Sequence, residues 1–345
     1  MSGFVSFLRR HAKGLAVGAV VVGAVTAMAV RCLPSSEEEM KASAVVVECR
    51  TAWVLTCGSR PVLWCAAIDT DSVLRSPASA VGRTATVRLT AGCWMNRWPA
   101  VPSCRGRLVA AVPQTGDKEL QAQRLTDGGC RRVLEKARRC LADSLAWARS
   151  EDSELKYYLR VHGVQDEGYQ QIASVATRVA SRLAELEAVA ARVDSALRGA
   201  RGRLAFARTT ALTAHYRDAD GHARTASCRL LATGGKDRLA LLQTADGSTP
   251  DGVKAQYLLP WNTTNRRLLA VGFGGLGVEG LASPSALPLV AEGHRRKGRH
   301  DFPRVLVADG CPLFTPRGLF AGMTVGSEVV GRSEVSLLLM KGGWR

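Results

Sequence analysis

The chain has 345 residues, 46% hydrophobic and 22% charged, which excludes a disordered, collagen-like or low-complexity polypeptide and fits one large domain or two ordinary ones. The net charge is +17, yet only nine of the 47 Lys and Arg residues are Lys. An Arg-heavy composition with abundant Ala and Gly names no partner by itself.

The N-terminus carries the clearest signal. Residues 1–13, MSGFVSFLRRHAK, form an amphipathic lead-in whose targeting residues are Arg9, Arg10, His11 and Lys13. Residues 14–30 are uncharged and apolar. As a helix they reach about 25 Å, near the lower limit for crossing a bilayer. Three readings fit this segment: a retained signal anchor, a secretory signal cleaved after the A-x-A pattern Ala27-Met28-Ala29, or a mitochondrial presequence. The retained anchor is the leading expectation.

Residues 31–113 are rich in Val, Thr, Trp, Gly and Pro, and are expected as a linker or irregular region. Within it AVVVECRTAWVLTC and RTATVRLTAGCW read as short strands or irregular structure.

All thirteen Pro lie outside residues 114–249, and a tract free of helix breakers is where long helices can form. One helix is expected from about Lys118 to Trp147, interrupted at Gly128-Gly129. A second is expected from Glu167 to Arg198, where Ile172, Val175, Val179, Leu183, Leu186, Val189, Val193 and Leu197 repeat at three- and four-residue steps. Residues 250–345 read as a Gly/Pro-rich basic C-terminal region without helix.

Motifs for chemistry are sparse. Gly272 to Gly277 fits G-x-G-x-x-G, but Pro284 and Pro288 stop the helix that a dinucleotide loop needs, so a Gly-rich loop is expected. The run His294 to His300 is basic and reads as a solvated loop, with no exposed stacking aromatics to suggest nucleic acid. Asn262 opens a glycosylation sequon, and His162, His215 and His222 are scattered. The ten Cys show no C-x-x-C pair, so no metal site is expected. No catalytic motif occurs, and the chain is expected to be neither an enzyme nor a cofactor carrier.

The lead-in residues Phe7, Leu8, Arg9, Arg10, His11 and Lys13, running straight into an apolar segment, resemble the start of the peroxin three family. Tyr158, Leu159, Gly168 and the Ile172–Val179 stripe resemble its central helical region. The resemblance implies peroxisome membrane biogenesis, with a membrane-anchored factor docking a peroxin nineteen-like receptor through an apolar groove, contacting membrane lipid and not nucleic acid. It carries no docking residue onto this chain, because Pro99 and Pro102 exclude a helix around Trp94 and Trp98. The expected fold is therefore mainly α: a single transmembrane helix, then a helical-bundle core over 114–249 with irregular flanks, at the peroxisomal membrane. The alternative is a secreted or periplasmic binding protein with a cleaved signal and disulfides among its Cys.

Overall fold

The computed structural model describes residues 34–68, 73–79, 84–96, 106–111, 125–199, 203–234, 238–258, 265–276, 278 and 280–342. Helix α1 (Glu37–Ser43) comes first, and a capping box fixes its start. Ser36 Oγ accepts from the Glu39 N–H while the Glu39 carboxylate accepts from the Ser36 N–H. Six strands follow: β1 (Ala44–Cys57), β2 (Arg60–Cys65), β3 (Ala67–Ile68), β4 (Leu74–Arg75), β5 (Thr86–Asn96) and β6 (Arg107–Ala111). Two long helices, α2 (Asp127–Val161) and α3 (Tyr169–Gly199), separate these from β7 (Leu204–Arg217), β8 (Ala223–Gly234), β9 (Leu239–Thr244) and β10 (Gln256–Tyr257). The remaining strands are β11 (Arg267–Phe273), β12 (Pro288–Arg296), β13 (Arg299–His300), β14 (Pro312–Phe314), β15 (Phe320–Val325) and β16 (Glu328–Gly331), before α4 (Arg332–Lys341).

The expectation of a mainly α fold is corrected. Of the described residues, 40% are in strands and 31% in helices. The chain divides into two compact units, one of residues 1–49, 88–113 and 211–345, the other of residues 50–87 and 114–210.

The first unit holds two closed six-stranded barrels. In one, β1, β5, β6, β9, β8 and β7 follow one another around the ring; in the other the order is β11, β12, β13, β16, β15, β14. Both rings therefore run first, second, third, sixth, fifth, fourth in chain order, and closure leaves neither ring a free edge. Alternate residues of one strand enter different cores. In β9, Ala240 and Leu242 fill the interior of the first barrel with Val45, Val47, Trp94 and Leu108. Leu239 and Leu241 lie instead in a second core with Leu268, Leu313 and Phe314 of the second barrel and Leu338 of α4. Trp94 is fully buried and meets the Tyr216 ring edge-on at 6.0 Å. Burying each such large apolar side chain contributes about 1.5–3 kcal/mol.

The second unit is built on α2 and α3. Thr126 caps α2 by accepting from the Gly129 N–H, and Asp127 accepts from the Leu204 N–H at 2.7 Å. Gly128 and Gly129 thus sit in the first turn instead of interrupting a helix, and α2 runs on to Val161, well past Trp147. Its described part begins at Asp127; residues 112–124 lie outside the described residues. The stripe expected on the second helix is real: Val189 and Val193 are fully buried against Cys130, Val133 and Leu134 of α2, beside Trp53 and Leu55 of β1.

The anchor expected at 14–30 and its targeting residues Arg9, Arg10, His11 and Lys13 lie outside the described residues. Among the described residues no helix is long and apolar enough to cross a membrane, so the expectation of single-pass anchoring in the peroxisomal membrane is not supported. The C-terminal region, read as lacking helix, contains α4 as well as a barrel. Eight Cys lie among the described residues, and burial pushes the Cys65, Cys93 and Cys311 thiols up to about 12. No disulfide joins any two of these eight.

Candidate functional site

Strand β7 places Ala214 and Tyr216 toward the first barrel's interior. By the two-residue period, His215 and Arg217 share the opposite face. On β1, Val45 and Val47 occupy that interior, so Glu48 also faces outward. Side by side on neighbouring strands, the two polar residues meet: His215 Nε2 lies 2.7 Å from Glu48 Oε2. The side chains are only 18% and 6% exposed, so the pair is largely withdrawn from water.

A carboxylate oxygen accepts, so the tautomer that fits this contact has the proton on Nε2 and the lone pair on Nδ1. Nδ1 has no hydrogen-bond partner among the described residues. A buried carboxylate fixing one tautomer of an imidazole is the base-and-orienter half of a hydrolytic triad.

His215 lines a cleft of about 580 Å³, while Glu48 reaches it only through its contact with His215. The wall comes from α1 (Glu38, Lys41), from the β7–β8 hairpin (Arg217, Asp218, Arg224, Thr225) and from Phe273 and residues 284–288 of the second barrel. Thr225 is the cross-strand neighbour of His215, and Ser285 adds a hydroxyl from the second barrel's side. Two ion pairs fall inside: Lys41 Nζ to Glu38 at 3.2 Å and Arg224 Nε to Asp218 at 2.8 Å. The Arg224 guanidinium holds the Asp218 carboxyl below the usual range, its backbone bond from His222 adding to this.

A second cavity, of about 210 Å³, adjoins residues 301–311, the connection between β13 and β14. Leu89 and Thr90 of β5 line it with Arg304, Asp309 and Gly326. Asp309 Oδ1 accepts from the Gly326 N–H at 2.6 Å, and its carbonyl accepts from the Ala91 N–H.

The residues singled out in the sequence are mostly not assembled. His162 stacks on Tyr158 at 4.1 Å between ring centroids, at the far end of α2. His222 belongs to the β7–β8 turn, where Asp218, Asp220 and His222 bring ligand-type atoms within 4.8 Å of one another. Asp218 there is already engaged by Arg224 and two backbone N–H groups, as an ordinary turn residue. The glycine-rich motif starts in β11, where a Cβ on Gly272 would lie 2.0 Å from Leu306 O, and Gly275 turns the chain at φ +79°. Gly277 lies outside the described residues, and a turn, not a helix, follows at residues 274–276. The basic run is a hairpin whose turn, Lys297-Gly298, has both φ positive. Asn262 and Trp98 lie outside the described residues. Glu48 escaped sequence reading altogether: it is 167 residues from His215, and no spacing rule links them.

No family model matches the chain, and no curated protein matches it. Similar solved structures include Deg5, at 14% identity and TM-score 0.27, with 42% of this chain and 70% of that one covered. Another is the MamO protease domain from Magnetospirillum magneticum in its apo form, at 14% identity and TM-score 0.26, with 36% and 72% covered. The expectation of a helical peroxisomal membrane protein is corrected by the two β-barrels, and the expectation of a non-enzyme is not carried forward.

Proposed function

We propose that the chain is a hydrolase acting on a polypeptide segment bound in the 580 Å³ cleft, with His215 as general base and Glu48 as the positioning residue. The observation that carries this reading is the buried Glu48–His215 contact at the cleft wall. A solvated surface pair would hold no fixed tautomer, whereas this ring is held in one orientation with Nδ1 left to accept a proton. The cleft joins apolar groups (Phe273, Pro284, Leu287) to charges of both signs (Glu38, Asp218, Arg217, Arg224), which complements a peptide better than a purely apolar or purely anionic ligand. His215 removes a proton from an attacking water or hydroxyl and returns it to the leaving amine; Glu48 stabilises the imidazolium between these steps.

Peptidase activity on a mixed fluorogenic peptide library tests it. Glu48→Gln keeps the shape of the site but removes the carboxylate, and is expected to lower kcat about 10²–10⁴-fold, with His215→Ala at least as severe. A wild-type protein without turnover, or a Glu48→Gln variant with unchanged kcat, defeats the reading. Docking of a peroxin nineteen-like receptor is a separate proposal resting on the sequence resemblance alone, tested by co-purification of the full chain with that receptor.

A further inference from the structure

The cleft has a charge asymmetry that the proton-transfer reading does not use. Among its described lining residues Glu38 is paired with Lys41, and Asp218 with Arg224. Lys41 is also held by Glu37 at 2.8 Å. Arg217 differs: its guanidinium Nη1 donates to the Gly221 carbonyl, which fixes the side chain without neutralising it. Its cross-strand neighbour is Ala223, which offers no counter-charge. Arg217 also stands two residues from His215 on the same face of β7, about 7 Å along the strand.

We infer that Arg217 is a subsite for a carboxylate on the substrate, so that the cleft takes peptides bearing a free carboxylate one to two residues away from the bond presented to His215. An extended peptide advances about 3.3 Å per residue, so a carboxylate on Arg217 and a carbonyl at His215 are separated by one to two residues, as at a peptide C-terminus or an acidic side chain near the reacting bond. Guanidinium donors still free after the Gly221 contact match a carboxylate fork, and a charge-assisted contact of this kind is stronger than a neutral one. The inference rests on the hydrolytic reading for its substrate class but not for the binding event.

Binding is therefore measured apart from turnover, on full-length His215→Ala protein, with a dansyl-Ala-Ala-Ala probe carrying a free C-terminus, the same probe as its C-terminal amide, and amidated probes with Glu or Gln in the middle position. The free acid is expected to bind about tenfold tighter than the amide, with the advantage shrinking as salt rises. If the Glu-over-Gln preference is the larger one, the carboxylate is a side chain; if the acid-over-amide preference is larger, it is the C-terminus. Arg217→Gln should erase whichever preference is found, and Arg217→Lys should retain part of it. Equal binding of all four probes, or a preference untouched by Arg217→Gln, overturns the subsite. Carboxylate preference without wild-type turnover defeats only the hydrolytic reading, while turnover indifferent to carboxylate defeats only the subsite.

Discussion

The two barrels share one strand order, yet their third-to-fourth connections differ. In the first, residues 112–203 join β6 to β7 and contain both long helices; in the second, residues 301–311 join β13 to β14. The short connection is pinned throughout. Gly310 N–H donates to Thr324 O, Thr324 Oγ1 donates to Ala308 O, and Cys311 N–H donates to Thr324 Oγ1. The long one packs its two helices on each other and on Trp53 and Leu55 of β1, Leu63 and Cys65 of β2 and Leu204 and Phe206 of β7, and Thr126 caps the first of them. Ring closure thus tolerates a connection of any length, because closing a longer loop costs little extra once the strands pair. What changes is where the connection gets its order: from hydrogen bonds to the barrel when short, from helix packing on itself and on neighbouring strands when long.

Glycine substitutions separate these cases most sharply. Gly310 has φ +88°, and a Cβ there would lie 1.9 Å from Ala91 O, so Gly310→Ala must displace backbone; a loss of about 4 kcal/mol or more in chemical denaturation is expected. Gly168, between α2 and α3, has the similar φ +82° but nothing within 4 Å of its would-be Cβ. Gly168→Ala should cost only the left-handed backbone penalty, about 1–2 kcal/mol. Equal losses at the two positions would break the distinction.

Thr324→Val tests the pinning at intermediate size. It removes a fully buried hydroxyl while keeping the shape, leaving Ala308 O and Cys311 N–H unsatisfied, for an expected loss of about 1–3 kcal/mol. Hydrogen exchange should speed first at residues 308–311; protection unchanged there would show that the loop is held by packing alone.

The smallest effect belongs to the start of α2. The backbone bond from Leu204, then Arg131, holds the Asp127 carboxyl below its ordinary range. A depressed carboxyl stabilises the fold above its unfolded pKa, and that contribution fades as pH falls through the folded value. Asp127→Asn should therefore flatten the acid limb of stability against pH while changing the neutral value slightly. An identical acid limb in the variant would rule out this linkage.

These contrasts also explain what was legible in the sequence. The α3 stripe could be read because a helix buries one face and the period survives in the chain. The strands AVVVECRTAWVLTC and TVRLTAGCW were visible as β-branched, aromatic runs within a region otherwise read as irregular. The barrels were not visible as barrels. In β9 every residue is buried, since odd and even positions enter different cores, and in β15 every residue is buried too, with Phe320 and Ala321 in one core, so the two-residue alternation is erased in both. The two-residue strands β10 and β13 are too short to leave a pattern. Glu48 and His215 come together only because β1 and β7 are neighbours in a closed ring, a fact of register that no local window contains.

The cysteines give this architecture a chemical consequence. Thiols held near 12 are not thiolates at neutral pH, so Cys93 and Cys311 in the barrels and Cys65 beside the helices are silent toward alkylating reagents while folded. Cys140, exposed on α2, is not shielded in this way. The chain thereby contains its own clocks: a reagent marks Cys140 at once and each shielded thiol only when its surroundings open, timing the breathing of each unit separately.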